Sequence, residues 1–402
     1  MTVHQANVAL NTADDDVPAR RRRNRIRYNA IQFAIVAAAV VLVALFALAV
    51  KEGLARHGIR FSFSFLQDAA GFDISEGKTV VFDGGFWPGF LDFTSDRLIA
   101  QAFVTGIFNT IKVAILAILL STVLGTLLGV GRLSTNWVIR NLSFWCVEFV
   151  RNTPLLIQLV FWYFAVVLHF PPIAAAAKFY GVVISQQGLY FPAPVWQGDG
   201  SLIAIGTVTA FWVALLGLFL DRKKPVRWIC AGVAIVLAVV MFATGILGID
   251  VPVTSRFQAR GGTSMSPEMA ALLLAIVVNS ASYIAEIVRG AIDALPKGQW
   301  EAAASLSLTR RDTVNDIILP QVFRVVLPSF GNQYISLTKN TALGIAIGYP
   351  ELFNIYGTIA NQTGHSLEGI VIVMVSYLIL SWAISAAVGW ADRRMTKRGA
   401  SR

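Results

Sequence analysis

Gln299 to Pro320 reads QWEAAASLSLTRRDTVNDIILP, a polar island between long apolar runs. Pro296 and Gly298 make a turn just before it. From Gln299 to Leu308 the residues are good helix formers with apolar positions at helical spacing. A second short helical pattern runs from Asp312 to Leu319, and Pro320 is expected to end it, because proline cannot continue a helix. Two short helices lying outside the bilayer would form a compact knob built to be gripped. The alternative is an ordinary solvated loop.

The surroundings of the island are those of a membrane protein. Of 402 residues, 56% are hydrophobic and 14% charged, whereas a soluble domain carries about 25% charged residues. The formal net charge of +10 does not imply nucleic acid. The basic residues cluster at span ends, where a membrane selects them. Cys146 and Cys230 read as small buried hydrophobes and not as a disulfide or metal pair.

Apolar runs long enough to cross a ~30 Å hydrocarbon core suggest about eight spans, with both termini cytoplasmic. They are Ile31–Val50, Val104–Val130, Leu142–Phe170, Ser201–Leu220, Trp228–Leu247, Pro267–Gly290, Leu327–Tyr349 and Gly369–Trp390. The fold class is therefore an all-α integral membrane protein. Residues 1–30 form a basic tail carrying Arg20 to Arg23, and 31–50 an anchor. Residues 51–101 form an outer loop, with a short interfacial helix around Phe86–Phe93. Residues 393–402 close the chain inside. Gly77-Lys78-Thr79 hints at a phosphate loop, but Phe72 occupies a required glycine position.

Three stretches carry polar chemistry inside these runs. In the third, Glu148 and Arg151 are three apart and can pair on one helix face. Pro154 then breaks the helix. Such a break at membrane depth needs protein or a water path around it. In the sixth, Asn279, Tyr283 and Glu286 fall at i, i+4 and i+7, so one face is polar, and Arg289 can pair with Glu286. In the seventh, Lys339 and Asn340 lie far from either end. A lysine there is expected to face the bundle interior, meeting a substrate carboxylate or Glu148 or Glu286. Ionisable groups buried in membranes point to function, so these residues read as pathway; structural pairing between helices is the alternative. Gly125-x-x-x-Gly129 in the second span admits a close helix neighbour.

The island resembles the cytoplasmic loop of ABC importer permeases. Glu301-Ala302-Ala303 and Ile317-x-Leu319-Pro320 fall at the family spacing, while Ser307 stands where the family has glycine. The runs from Arg151 to Leu159 and from Leu337 to Pro350 resemble the polar-amino-acid branch. The resemblance covers residues 102–170 and 267–392, with the coupling loop at 291–325, and implies a type I ABC importer permease core. Residues 171–266, with two extra spans, are an insertion. The larger layout looks like a permease subunit of the general L-amino-acid importers of Gram-negative bacteria. That implies residence in the inner membrane, two copies of a cytoplasmic ATP-binding subunit, a second permease (a heterodimer) and a periplasmic amino-acid-binding protein. It implies no cofactor and no catalysis by this chain, which has no nucleotide-binding motif of its own. Membrane lipid is the other expected partner. The competing reading is a secondary transporter driven by an ion gradient, which would explain the broken helix but not the island.

Overall fold

The computed structural model describes residues 27–46, 48–49, 52–53, 56, 61–81, 89–197, 202–220, 224–309 and 312–399. The basic run Arg20 to Arg23, the turn at Asp221–Lys223 and the pair Arg310–Arg311 lie outside the described residues. The chain divides into two units, Met1–Phe65 and Leu66–Arg402. The first carries α1, Arg27–Phe46, an apolar helix long enough to cross a bilayer.

The second unit is mostly helical. Its helices are α2 (Ile99–Gly131), α3 (Trp137–Arg151), α4 (Leu155–Phe161), α5 (Leu202–Leu220), α6 (Lys224–Ala243), α7 (Pro267–Asp293), α8 (Gly298–Ser305), α9 (Leu319–Asn340), α10 (Leu352–Thr363) and α11 (Ser366–Gly399). A π turn at Trp162–Val166 and a 3₁₀ turn at Val167–His169 extend α4, and a 3₁₀ stretch at Thr341–Ile347 extends α9. Among the described residues four helices are long and apolar enough to cross a membrane, or five if the bent pair α3 and α4 counts as one span.

The chain is mostly helical, as the all-α class expects, and short strands are added in the segments between the long helices. β1 (Lys78–Val81) and β2 (Gly89–Asp92) form an antiparallel hairpin. Where an interfacial helix was expected, 89–92 is strand, and 82–88 lies outside the described residues. Within residues 171–266, β3 (Ala177–Phe179), β4 (Val182–Ser185), β5 (Gly188–Phe191) and β10 (Thr263–Met265) form one sheet in the order β10-β5-β4-β3. β6 (Ala193–Trp196) pairs with β7 (Leu247–Asp250), and β8 (Val253–Thr254) with β9 (Ala259–Arg260). These segments join spans outside the apolar runs, and pairing satisfies their backbone groups. Gly77 has φ +133° and packs against Thr105 and Asn109. It serves a close approach, and β1 follows it directly instead of a phosphate-binding helix.

The core forms where α2 and α7 meet, with α4 and α9 packed around them. The glycine stripe on α2 sets this contact. A Cβ on Gly125 would lie 2.6 Å from Cβ of Ile284 and 2.7 Å from the Ala281 carbonyl oxygen. One on Gly129 would lie 2.6 Å from the Ala285 carbonyl oxygen. α5 and α6 make their main contacts with one another, α6 also touching β7. Both cysteines are free; Cys146 is exposed and Cys230 half-buried, so neither is fully buried as expected.

Gly125→Ala is expected to destabilise the protein by about 1–3 kcal/mol through overpacking. Gly290→Ala, whose new Cβ meets nothing within 4 Å, is expected to be neutral or to stabilise by up to about 1 kcal/mol. Thermal unfolding of both variants in detergent checks this.

Candidate functional site

The polar residues gather at the break between α3 and α4. Asn136 caps α3 by accepting from the N–H groups of Val138 (2.9 Å) and Ile139 (3.3 Å). The helix runs to Arg151, and α4 restarts at Leu155, just after Pro154, at a bend of 103°. The break frees carbonyls that hydrocarbon cannot satisfy. The buried Gln158 amide donates to the carbonyls of Val150 and Thr153, both at 2.8 Å. Asn152 donates to the Glu148 carbonyl at 2.8 Å and Thr153 to that of Phe149 at 2.9 Å. The side chains just past the bend thus stabilise it.

Beside it lies an ionic cluster joining the ends of α2, α3 and α7. Arg132, with 9% of its side chain exposed, donates to Glu286 Oε2 at 2.6 Å and approaches Glu148 Oε1 at 3.4 Å. Arg151 Nη1 is 3.7 Å from the same Glu286 oxygen. Arg289 pairs with Glu286 one turn away and with Asp293 at 2.6 Å. One carboxylate is therefore shared by three guanidinium groups. The expected Glu286–Arg289 pair forms. The expected Glu148–Arg151 pair does not, because Arg132 reaches Glu148 from α2 and Glu286 draws Arg151 towards α7.

A cavity of about 500 Å³ opens at the break. Arg151, Asn279, Tyr283 and Asn340 line it, together with Gln333 and Ser336 of α9. The Arg151 guanidinium stands 5.6 Å from the centre of the Tyr283 ring. Four of the seven expected pathway residues thus meet there. Glu286 and Glu148 lie outside the lining, in the ionic cluster. Lys339 is corrected: it is exposed, pairs with neither glutamate, and lines a separate, mostly apolar cavity of about 440 Å³ with Tyr377 and Ser381. One residue before Asn340 on α9, it points about 100° away from it.

The described residues of the island form two short helical pieces, with a defined end to the first. α8 ends at Ser305, and Ser307 adopts a left-handed φ of 53°. Leu308 N–H donates to the Ala303 carbonyl (3.1 Å) and Ser307 N–H to that of Ala304 (2.9 Å), the paired bonds of a Schellman end. The position where the resemblance expects glycine is thus a left-handed position, which serine fills at a cost of roughly 1–2 kcal/mol. Thr309 accepts from Asp312 N–H at 3.2 Å and donates to its carboxylate at 2.6 Å, starting the next segment. Pro320 does not end that segment. A π turn at Thr313–Ile318 leads into α9, and Leu319 N–H reaches back five residues to the Val314 carbonyl. The wider winding accommodates Pro320 in the first turn of α9, where its missing N–H is no loss. Glu301, Ala302, Ser307, Leu319 and Pro320 are exposed, Ala303 is buried, and Ile317 packs on the α7–α9 cluster.

Three polar groups escaped the sequence reading. Arg132 lies just past the second apolar run, one of the basic residues that cluster at span ends. It falls three residues after Gly129 and seven after Gly125, on the stripe facing α7, and that spacing was the available signal. Glu76, in the loop before β1, receives Lys112 at 2.5 Å. Glu351 is fully buried, caps α10 by accepting from the N–H groups of Phe353 (2.9 Å) and Asn354 (2.7 Å), and accepts from the Tyr377 hydroxyl at 3.0 Å.

The chain is similar to known proteins along most of its length. Residues 117–398 match the family described as binding-protein-dependent transport system inner membrane component. The putative amino-acid ABC transporter permease protein YhdX of Escherichia coli (strain K12) is 38% identical over 356 residues, covering 85% of this chain and 87% of that protein. The general L-amino acid transport system permease protein AapQ of Rhizobium johnstonii is 34% identical, covering 85% of each. A crystal structure of an amino acid ABC transporter with histidines is 21% identical, with a TM-score of 0.46, covering 73% of this chain and 94% of that one.

Glu286→Gln leaves three guanidinium groups without their shared carboxylate. It is expected to lower stability by about 1–3 kcal/mol. A double-mutant cycle with Arg132→Gln should return a coupling energy of about 0.5–3 kcal/mol in thermal unfolding.

Proposed function

This chain belongs to the family of inner membrane components of binding-protein-dependent transport systems, and on that premise we propose that it is the permease subunit of an ATP-driven importer of L-amino acids. The relatives named for amino-acid transport support the substrate class. The observation that carries the coupling role is the exposed knob of α8, with Glu301 and Ala302 on its surface and the Schellman end at Ser307.

In this reading the protein spans a bacterial inner membrane eight times, α5, α6 and α9 joining the spans of greater length, and both termini are cytoplasmic. α8 and the segment to Pro320 dock on a cytoplasmic ATP-binding subunit, present in two copies. A second permease completes the pathway, and a periplasmic amino-acid-binding protein delivers substrate. ATP binding closes the ATPase pair and draws the coupling knobs together, which opens the pathway outward. Substrate biases these states only through its differential affinity for them. The cavity at the α3–α4 break, with Arg151, Asn279, Tyr283 and Asn340, forms this chain's part of the pathway, and Glu286 and Glu148 hold its floor. Lys339 faces the second permease, since lipid would penalise its ammonium by about 2.5–3.5 kcal/mol. An ion-gradient transporter leaves both the knob and the family match without a role.

Affinity purification from solubilised membranes is expected to recover an ATPase subunit with the wild-type chain and to lose it with Glu301→Lys, while the second permease stays bound. Wild type recovered without any ATPase would overturn the coupling role. Ser307→Gly is expected to keep the ATPase and uptake, because glycine adopts the left-handed conformation freely. Ser307→Val should lose both at least in part, since a β-branched residue is a steric outlier there.

A further inference from the structure

We infer that the cavity at the α3–α4 break selects amino acids by charge, accepting acidic and neutral side chains and rejecting cationic ones. The inference rests on the amino-acid permease reading and assigns a substrate class to its pathway site. Among the described residues Arg151 is the one charged group lining the cavity. The remaining polar lining is neutral: the amides of Asn152, Asn279, Gln333 and Asn340 and the hydroxyls of Thr153, Tyr283 and Ser336.

Arg151 retains donor capacity. Its Nε is buried without a hydrogen-bond partner. Its Nη1 lies 3.7 Å from Glu286 Oε2, while Arg132 holds that same oxygen at 2.6 Å. A guanidinium fork presents parallel N–H groups to a carboxylate, the strongest geometry such a pair adopts. The nearby anions are already engaged. Glu286 serves three arginines, Glu148 meets Arg132, and Asp293 meets Arg289.

A zwitterion placed here sets its α-carboxylate on Arg151 and its ammonium among amide and hydroxyl oxygens. A side-chain carboxylate or amide gains donors from the same lining. A side-chain ammonium or guanidinium brings a second cation beside Arg151 with no carboxylate in the lining to receive it, and the low dielectric strengthens that repulsion.

The test uses the complete importer in nanodiscs, with its ATPase and second permease but without the binding protein, so that the membrane site alone is read. Bound radiolabelled L-glutamate is displaced by unlabelled L-glutamate, L-glutamine or L-lysine. L-glutamate and L-glutamine are expected to displace it at concentrations at least tenfold lower than L-lysine. Ser336→Asp puts a carboxylate at an exposed position of the lining and is expected to shrink that ratio at least fivefold. Arg151→Gln should weaken L-glutamate at least tenfold. L-lysine displacing as well as L-glutamate from wild type overturns the inference. So does the absence of saturable binding in a complex that still drives ATP-dependent amino-acid uptake with its binding protein, and in that case the permease reading stands. Failure of that complex to take up any amino acid removes the permease reading as well.

Discussion

The distance between α2 and α7 governs the rest of this molecule. Lipid is as apolar as leucine, so no hydrophobic force drives two helices together in a bilayer, and close packing and polar contacts must do it. Gly125 and Gly129 remove the side chains that would hold α7 away. Arg132 continues the same stripe, so the contact that packs the helices also delivers a guanidinium to Glu286. Packing and electrostatics are one feature here: wider helix spacing would strand Arg132 short of its carboxylate.

The break after Arg151 is the second constraint, and it follows from backbone chemistry. A bend inside a membrane exposes carbonyls that nothing outside the protein can satisfy. The amide of Gln158, four residues past Pro154, closes two of them. The polar cavity exists because the chain turns there: the bend opens space beside α7 and α9, and the side chains facing that space are those that a continuous helix would have packed away.

What was legible in the sequence were features whose physics is local. Pro154 announced the bend, the glycine pair announced a close neighbour, and the Glu301 island announced a short helix after α7. The departure at Ser307 was visible, and its left-handed φ explains why glycine suits that position. What failed depended on distant partners. Glu148 and Arg151 sit at pairing distance along one helix, yet each is claimed by a residue from another helix. Lys339 was expected to turn inward, but no rule of spacing says which side of α9 the neighbouring helices occupy. β10 joins β5 across the whole α5–α6 stretch, so that sheet could not be read from either segment alone. Pro320 misled because a proline ends one helix and begins another equally well, and only the π turn before it decides between them.

These contacts link the island to the cavity. The Gln321 amide bridges Gln299 at 3.1 Å and the Ile317 carbonyl at 3.0 Å, tying α8 to the start of α9. Ile318, Val322 and Val326 carry that joint against Ile284 and Val288 of α7. α9 then continues, with Pro328 inside it, to Gln333, Ser336 and Asn340 in the cavity wall. Close-packed interiors resist compression, so a displacement of the knob has two continuations: α9 moves along α7, or the isoleucine and valine contact fails. The second exposes apolar groups without any compensating contact. Movement of the cavity wall is therefore the lower-cost response, and the Glu286 carboxylate, holding guanidinium groups from three helices, marks the point on α7 against which that movement would be resisted.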